Sequence, residues 1–169
     1  LETAMAWAYA AGEGEDAPHG LVFTRQDVPA LPRPAGFDPK TVWRGGYRLV
    51  DRPGAAITVI ATGSEVHVAV EAAKQLEAQG VLTNVVSMPS VERFTAQDRA
   101  YQDQVLGVGT RLVSFEIGRT SMWQALTGRD GLNIGLDRFG ESAPYEALAE
   151  HFGFTAEKAA ARIAAWASR

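Results

Sequence analysis

Within ten residues, Ile57-Thr-Val-Ile-Ala-Thr-Gly-Ser-Glu-Val66, the hydrophobic period of this chain changes. The first half is a β-branched run of strand character. The second half opens a helical pattern: Val66, Ala69, Val70, Ala73 and Leu76 fall at i, i+3, i+4, i+7 and i+10, along one face of a helix. Thr62 and Glu65 have the spacing of a capping box, and Gly80 marks the helix end. A second strand is predicted from Thr83 to Met88. A strand, a helix and a strand in that order build parallel sheet through a right-handed crossover, which makes the fold class α/β.

The same reasoning predicts strands over 56–61, 83–87, 111–115 and 132–136, with a further short one from Tyr47 to Val50. Helices are predicted over 64–79, 97–105, 120–127, 143–150 and 155–167. Thr155 is the N-cap of the last, which carries Ala159, Ile163 and Trp166 on one face. The first 24 residues differ in kind. Residues 3–11 form an Ala-rich helix ending at Gly12, an acidic loop runs from Glu13 to His19, and Leu21-Val22-Phe23 is a short strand. Pro29, Pro32, Pro34 and Pro39 then make a partly extended linker over 27–45. One helix and one strand do not make a domain, so they read as the last elements of a preceding one. Leu1 is not an initiator methionine, and the chain reads as a piece of a longer protein.

Composition narrows the function. The net charge of −4 and the absence of a Lys/Arg cluster argue against nucleic acid. No apolar run approaches the ~18 residues that cross a membrane. The chain has no cysteine, which excludes disulfides, thiolate metal sites and cysteine nucleophiles, and fits a cytoplasmic protein.

Few residues read as chemistry. His19, His67 and His151 are far apart, and no pair has metal-ligand spacing. His67 reads as a solvated helix residue, His19 as exposed, and His151 as a cation at a helix end. Thr62-Gly63-Ser64 is either a helix cap or a generic anion site, since helix N-terminal amides favour phosphate. Glu116, with Gly118 after it, ends a strand and reads as an acid–base group, a cap or an interface residue. Asp137 and Arg138 read as a local charge cluster, and Ser142 with Pro144 as a helix start. Arg25, at the predicted carboxyl end of the Leu21–Phe23 strand, has the planar fork that suits phosphate or carboxylate. It serves equally well as an ion pair anchoring the linker. No Ser/His/Asp set, carboxylate pair or phosphate loop is convincing.

Several segments taken together are more specific. Glu2-Thr3 with Ala6-Trp7, Leu21-Val-Phe-Thr-Arg-Gln26, Arg44-Gly-Gly-Tyr47, Ala61-Thr-Gly-Ser-Glu-Val66 and Val85-Val-Ser-Met-Pro-Ser90 occur in this order. Gln97-Asp98 with Tyr101, Phe139-Gly-Glu-Ser-Ala-Pro144 and Phe152-Gly-Phe-Thr155 follow. Over essentially its whole length the chain resembles the C-terminal third of the transketolases. These are thiamine-diphosphate enzymes that move a two-carbon ketol unit from a ketose phosphate to an aldose phosphate. Asp27 stands where the family often has Asn, and Ser114-Phe-Glu-Ile-Gly118 where Val-Glu-Ala-Gly is usual.

The resemblance implies residues 1–26 as the end of the pyrimidine-binding domain, 27–45 as linker and 46–169 as the C-terminal domain. That domain would be a three-layer sandwich around a mixed, mostly parallel, roughly five-stranded sheet, packed into a homodimer. Thiamine diphosphate and Mg2+ would be held by earlier parts of the full-length enzyme, so no catalytic, cofactor or metal residue is expected on this chain. Of the family's substrate residues only one maps here, onto Arg25, as a contact to the sugar phosphate. Two alternatives remain: a stand-alone anion-binding or regulatory module of the same fold, and a related thiamine-diphosphate enzyme such as deoxyxylulose-phosphate synthase or a ketoacid dehydrogenase β subunit. Val-Ser-Met-Pro-Ser and Phe-Gly-Glu-Ser-Ala-Pro favour transketolase over the second.

Overall fold

The computed structural model describes residues 2–13 and 17–169. Leu1 and the middle of the acidic loop expected over Glu13 to His19 lie outside the described residues. Five strands form one sheet: β1 (Tyr47–Val50), β2 (Ile57–Ala61), β3 (Thr83–Ser87), β4 (Arg111–Phe115) and β5 (Leu132–Ile134). The helices are α1 (Glu2–Gly12), α2 (Lys40–Trp43), α3 (Glu65–Ala78), α4 (Val91–Thr95), α5 (Arg99–Leu106), α6 (Gln124–Thr127), α7 (Tyr145–Phe152) and α8 (Ala156–Ala167). A 3-10 turn, Thr120–Met122, precedes α6.

The strand order is β1-β3-β2-β4-β5. β2 pairs in parallel with β3, Ile57 opposite Thr83, and with β4, Ile57 opposite Arg111. β4 and β5 are parallel, whereas the edge strand β1 runs antiparallel to β3 with an irregularity between Arg48 and Val50. β2 and β3 are buried along their whole length, as central strands covered on both faces must be. Side chains alternate between two cores. Ile57, Val59, Ala61, Val85, Val113 and Phe115 face α3, α7 and α8, meeting Val66, Ala69, Leu76, Ala149, Ala159 and Ile163. Ile60 and Val86 face α4, α5 and α6, meeting Phe94, Tyr101, Val105 and Trp123. This is the expected three-layer architecture.

Several polar side chains inside the layers are paired. Asn84 on β3 accepts the Arg52 backbone N–H at 2.8 Å and donates to Thr58 Oγ1 at 3.4 Å. Thr58 in turn donates to the Leu106 carbonyl at 2.7 Å, tying the end of α5 to the sheet. Ser114 and Thr127 share Asn133 Oδ1, at 2.7 and 2.9 Å. Most ion pairs are surface pairs, each worth about 0–1 kcal/mol, so the cores rather than the charges hold the fold.

The predicted helix ends are built with particular caps. Val81 N–H reaches Leu76 O at 2.9 Å and Gly80 N–H reaches Glu77 O at 2.9 Å, a Schellman closure of α3. Thr155 Oγ1 accepts the Lys158 N–H at 3.4 Å as the cap of α8. The predicted 120–127 helix is divided: its first turn is 3-10, held from outside by the Asp137 carboxylate. The short helices α2 and α4 add to the prediction.

Two expectations are corrected. Leu21-Val22-Phe23 is not a strand: these residues are irregular and exposed, Val22 at 92%. The sheet edges are β1 and β5, and the segment runs beside neither, so its backbone has no ladder to join. The Thr62/Glu65 capping box does not form. Ser64 occupies the N-cap without a side-chain cap bond, and the Glu65 side chain turns to the Ser64 hydroxyl.

The N-terminal segment packs on the linker. α1 lies against α2 and buries Ala10, and His19 meets Trp43 edge-on at 5.5 Å between ring centres. The linker itself is anchored, with Leu31 and Phe37 packed on the core and Phe37 5.1 Å from the Tyr47 ring.

Candidate functional site

In a parallel sheet the chain leaves successive strands toward opposite faces where the strand order reverses, and a crevice opens at their carboxyl ends. Here that point lies between β2, which feeds α3 on one face, and β4, which feeds α6 on the other. Its lips are Thr62–Glu65 after β2 and Glu116–Gly118 after β4. Glu65 is only 6% exposed and takes a 2.8 Å hydrogen bond from Ser64 Oγ. Burial raises its carboxyl above the ordinary carboxylate range, the Ser64 bond opposes that, and the nearby Glu116 carboxylate adds to it. Tyr145, at the start of α7, is raised first by burial and then by the negative potential of Glu65. The Glu116 carboxylate folds over Gly118, where a Cβ would collide with it. Two carboxylates, Glu65 and Glu116, therefore stand close together at these strand ends.

The basic group lies beside it. Thr24 Oγ1 donates to the Gln26 carbonyl at 3.1 Å, closing a tight turn with Arg25 at its tip. Arg25 is exposed, and among the described residues no carboxylate pairs with it. The ion-pair reading of Arg25 thus has no partner here. Arg25 sits on a bend rather than at a strand end. The turn still lies at the carboxyl ends of the strands, because Thr24 Cγ2 approaches to 4.0 Å of the position a Cβ would occupy on Gly63.

The other candidates are dispersed. His19 and His151 are exposed; His151 Nε2 lies 3.6 Å from Glu141. His67 is half-buried rather than solvated, and its Nδ1 has no hydrogen-bond partner. Asp137 and Arg138 separate. Asp137 takes the Thr120 hydroxyl at 2.6 Å and its N–H at 3.0 Å, bonds that hold its carboxyl below the ordinary range, while Arg138 pairs with Glu141 at 2.8 Å. Among the described residues no three His, Asp or Glu side chains come together as a metal-holding group. No helix among them is long and apolar enough to cross a membrane.

Three other motifs of the resemblance converge on a structural junction. The Arg44 guanidinium lies 3.2 Å over the Tyr101 ring, and its Nε reaches Gln97 Oε1 at 3.0 Å. Tyr101 donates to the Gly46 carbonyl at 2.7 Å, Asp98 caps α5, and Ser90 N–H reaches Gly45 O at 2.9 Å. Arg44-Gly-Gly-Tyr47, the Met-Pro-Ser turn and Gln97-Asp98 with Tyr101 thereby clamp the linker to the domain.

A family described as the transketolase-like TK C-terminal domain matches residues 45–155. The chain belongs to the transketolase family. A plasmid-encoded transketolase of Cupriavidus necator is 48% identical over 160 residues, covering 95% of this chain and 24% of that protein. A Pichia stipitis transketolase, solved in complex with sedoheptulose-7-phosphate, superposes with a TM-score of 0.87 at 37% identity, over 99% of this chain and 24% of that one. A split-gene transketolase, solved as an inactive β4 tetramer, superposes with a TM-score of 0.58 at 30% identity, over 81% of this chain and 46% of that one. The chain thus spans about a quarter of the full-length transketolases it matches, their C-terminal part.

Glu65 and Tyr145 are site residues that sequence reasoning missed. A carboxylate at a helix start reads as a cap, and only the fold shows it buried in the crevice.

Proposed function

We propose that this chain is the C-terminal part of an enzyme that transfers a two-carbon ketol unit from a ketose phosphate to an aldose phosphate. Its direct contribution is Arg25, which binds the substrate phosphate. The observation that carries the reading is the Thr24–Gln26 turn, which presents near the carboxyl end of β2 a guanidinium with no carboxylate partner among the described residues. In this reading residues 1–26 end the pyrimidine-binding domain, 27–45 link it and 46–169 are the C-terminal domain of a cytoplasmic homodimer.

Among the described residues no three His, Asp or Glu side chains come together to hold a metal ion. The reading assigns thiamine diphosphate and Mg2+, and the catalytic residues, to the rest of the full-length protein, and takes the isolated chain as inactive. The inactive state of the split-gene β4 tetramer supports that assignment.

Replacing Arg25 tests the reading. Charge-assisted bonds from its fork are worth about 1.5–3 kcal/mol. Arg25→Ala in the full-length enzyme should therefore weaken apparent affinity for a sugar phosphate roughly 10- to 150-fold. The same sugar without its phosphate should be affected far less. Equal losses for both would make Arg25 a structural residue.

A further inference from the structure

Thr24 has two contacts with separate consequences. Its hydroxyl donates to the Gln26 carbonyl at 3.1 Å and fixes the backbone on either side of Arg25. Its methyl group faces the loop after β2, with Cγ2 4.0 Å from the position of a Cβ on Gly63. Glu65 Oε2 flanks the same position, also at 4.0 Å. Gly63 holds a φ of +56°, and a Cβ there would stand in ordinary van der Waals contact with Thr24, so a longer side chain at this position would press on the turn.

We infer that Thr24 is a positioning residue for phosphate binding and that the Thr62–Ser64 loop is its seat. This rests on the proposed role of Arg25. A long side chain on an irregular, exposed segment loses rotamer and backbone freedom when it grips an anion, and fixing the backbone beforehand reduces that loss. The Thr24 hydroxyl fixes the turn, and the Gly63 loop fixes where the turn sits. The C-terminal domain thereby tunes affinity for phosphorylated sugars without itself touching the phosphate.

The test uses the full-length enzyme with xylulose 5-phosphate and with xylulose. Thr24→Val keeps the shape and removes the donor; Thr24→Ser keeps the donor. Gly63→Asn adds a side chain toward Thr24 at a φ that Asn tolerates. Thr24→Val and Gly63→Asn should each raise KM for xylulose 5-phosphate roughly 3- to 10-fold, with kcat within about twofold of the parent. KM for xylulose should not move, and Thr24→Ser should behave as the parent. Where Gly63→Asn does not fold, the Val/Ser pair at Thr24 decides. Unchanged KM in Thr24→Val, or equal losses for both sugars, overturns the inference. Arg25→Ala run alongside separates the failures. A phosphate-selective loss there with none at Thr24 sinks only the positioning role, whereas no selective loss at Arg25 sinks the phosphate reading and this inference with it.

Discussion

Glu65 carries a cost within the fold. Its carboxyl is buried, beside a second carboxylate, and its pKa is raised in the folded state. The unfolded chain therefore releases this proton at lower pH than the folded one, and across that interval the folded state binds more protons. Stability from this group is complete below the unfolded value and declines as pH rises from there toward the folded value. Glu65→Gln keeps an acceptor for the Ser64 hydroxyl and removes the titration. Its thermal midpoint should exceed that of the parent at neutral pH, and the parent's decline as pH rises above the ordinary carboxylate range should flatten. Melting curves across that rise in pH check this; a variant less stable than the parent at neutral pH would show that the ionised carboxylate is stabilising. Nothing in Thr-Gly-Ser-Glu distinguishes a buried carboxyl from a helix cap, because the difference depends on Glu116 and Tyr145, far away in the chain. That no carboxylate among the described residues pairs with Arg25 was not legible, since that depends on what the fold brings near it.

Among the elements, those with long regular patterns were legible. β2, α3 and β3 appear within a residue or two of their predicted bounds because burial on both faces demands apolar runs and a helix face demands its period. The resemblance implied a mixed, mostly parallel sheet, but that β1 is its antiparallel strand was not readable from the four residues Tyr47–Val50. α2 and α4, at four and five residues, are too short to show a helical period. Leu21-Val22-Phe23 shows the opposite failure: its composition suits a strand, but strand formation needs a neighbour. Hydrogen exchange on the isolated chain should separate these cases. Amides of Ile57–Ala61 and Thr83–Ser87 should be protected far longer than those of Leu21–Phe23. Comparable protection in a monomeric sample would show that the N-terminal segment and the sheet unfold as one cooperative unit.

At the scale of the molecule, the described residues form a three-layer α/β sandwich with an exposed arginine turn near the carboxyl end of β2. Three of its sequence motifs serve the clamp between linker and domain, through Arg44, Gly45, Gly46, Ser90, Gln97 and Tyr101. The central claim is that the fold lends a phosphate contact to chemistry performed by other parts of the full-length protein. Titrating the isolated 169-residue chain with thiamine diphosphate and Mg2+ by calorimetry, and then assaying the same sample for ketol transfer, tests that claim most directly. The account predicts no heat of binding and no turnover; micromolar cofactor binding, or turnover by the chain alone, would contradict it.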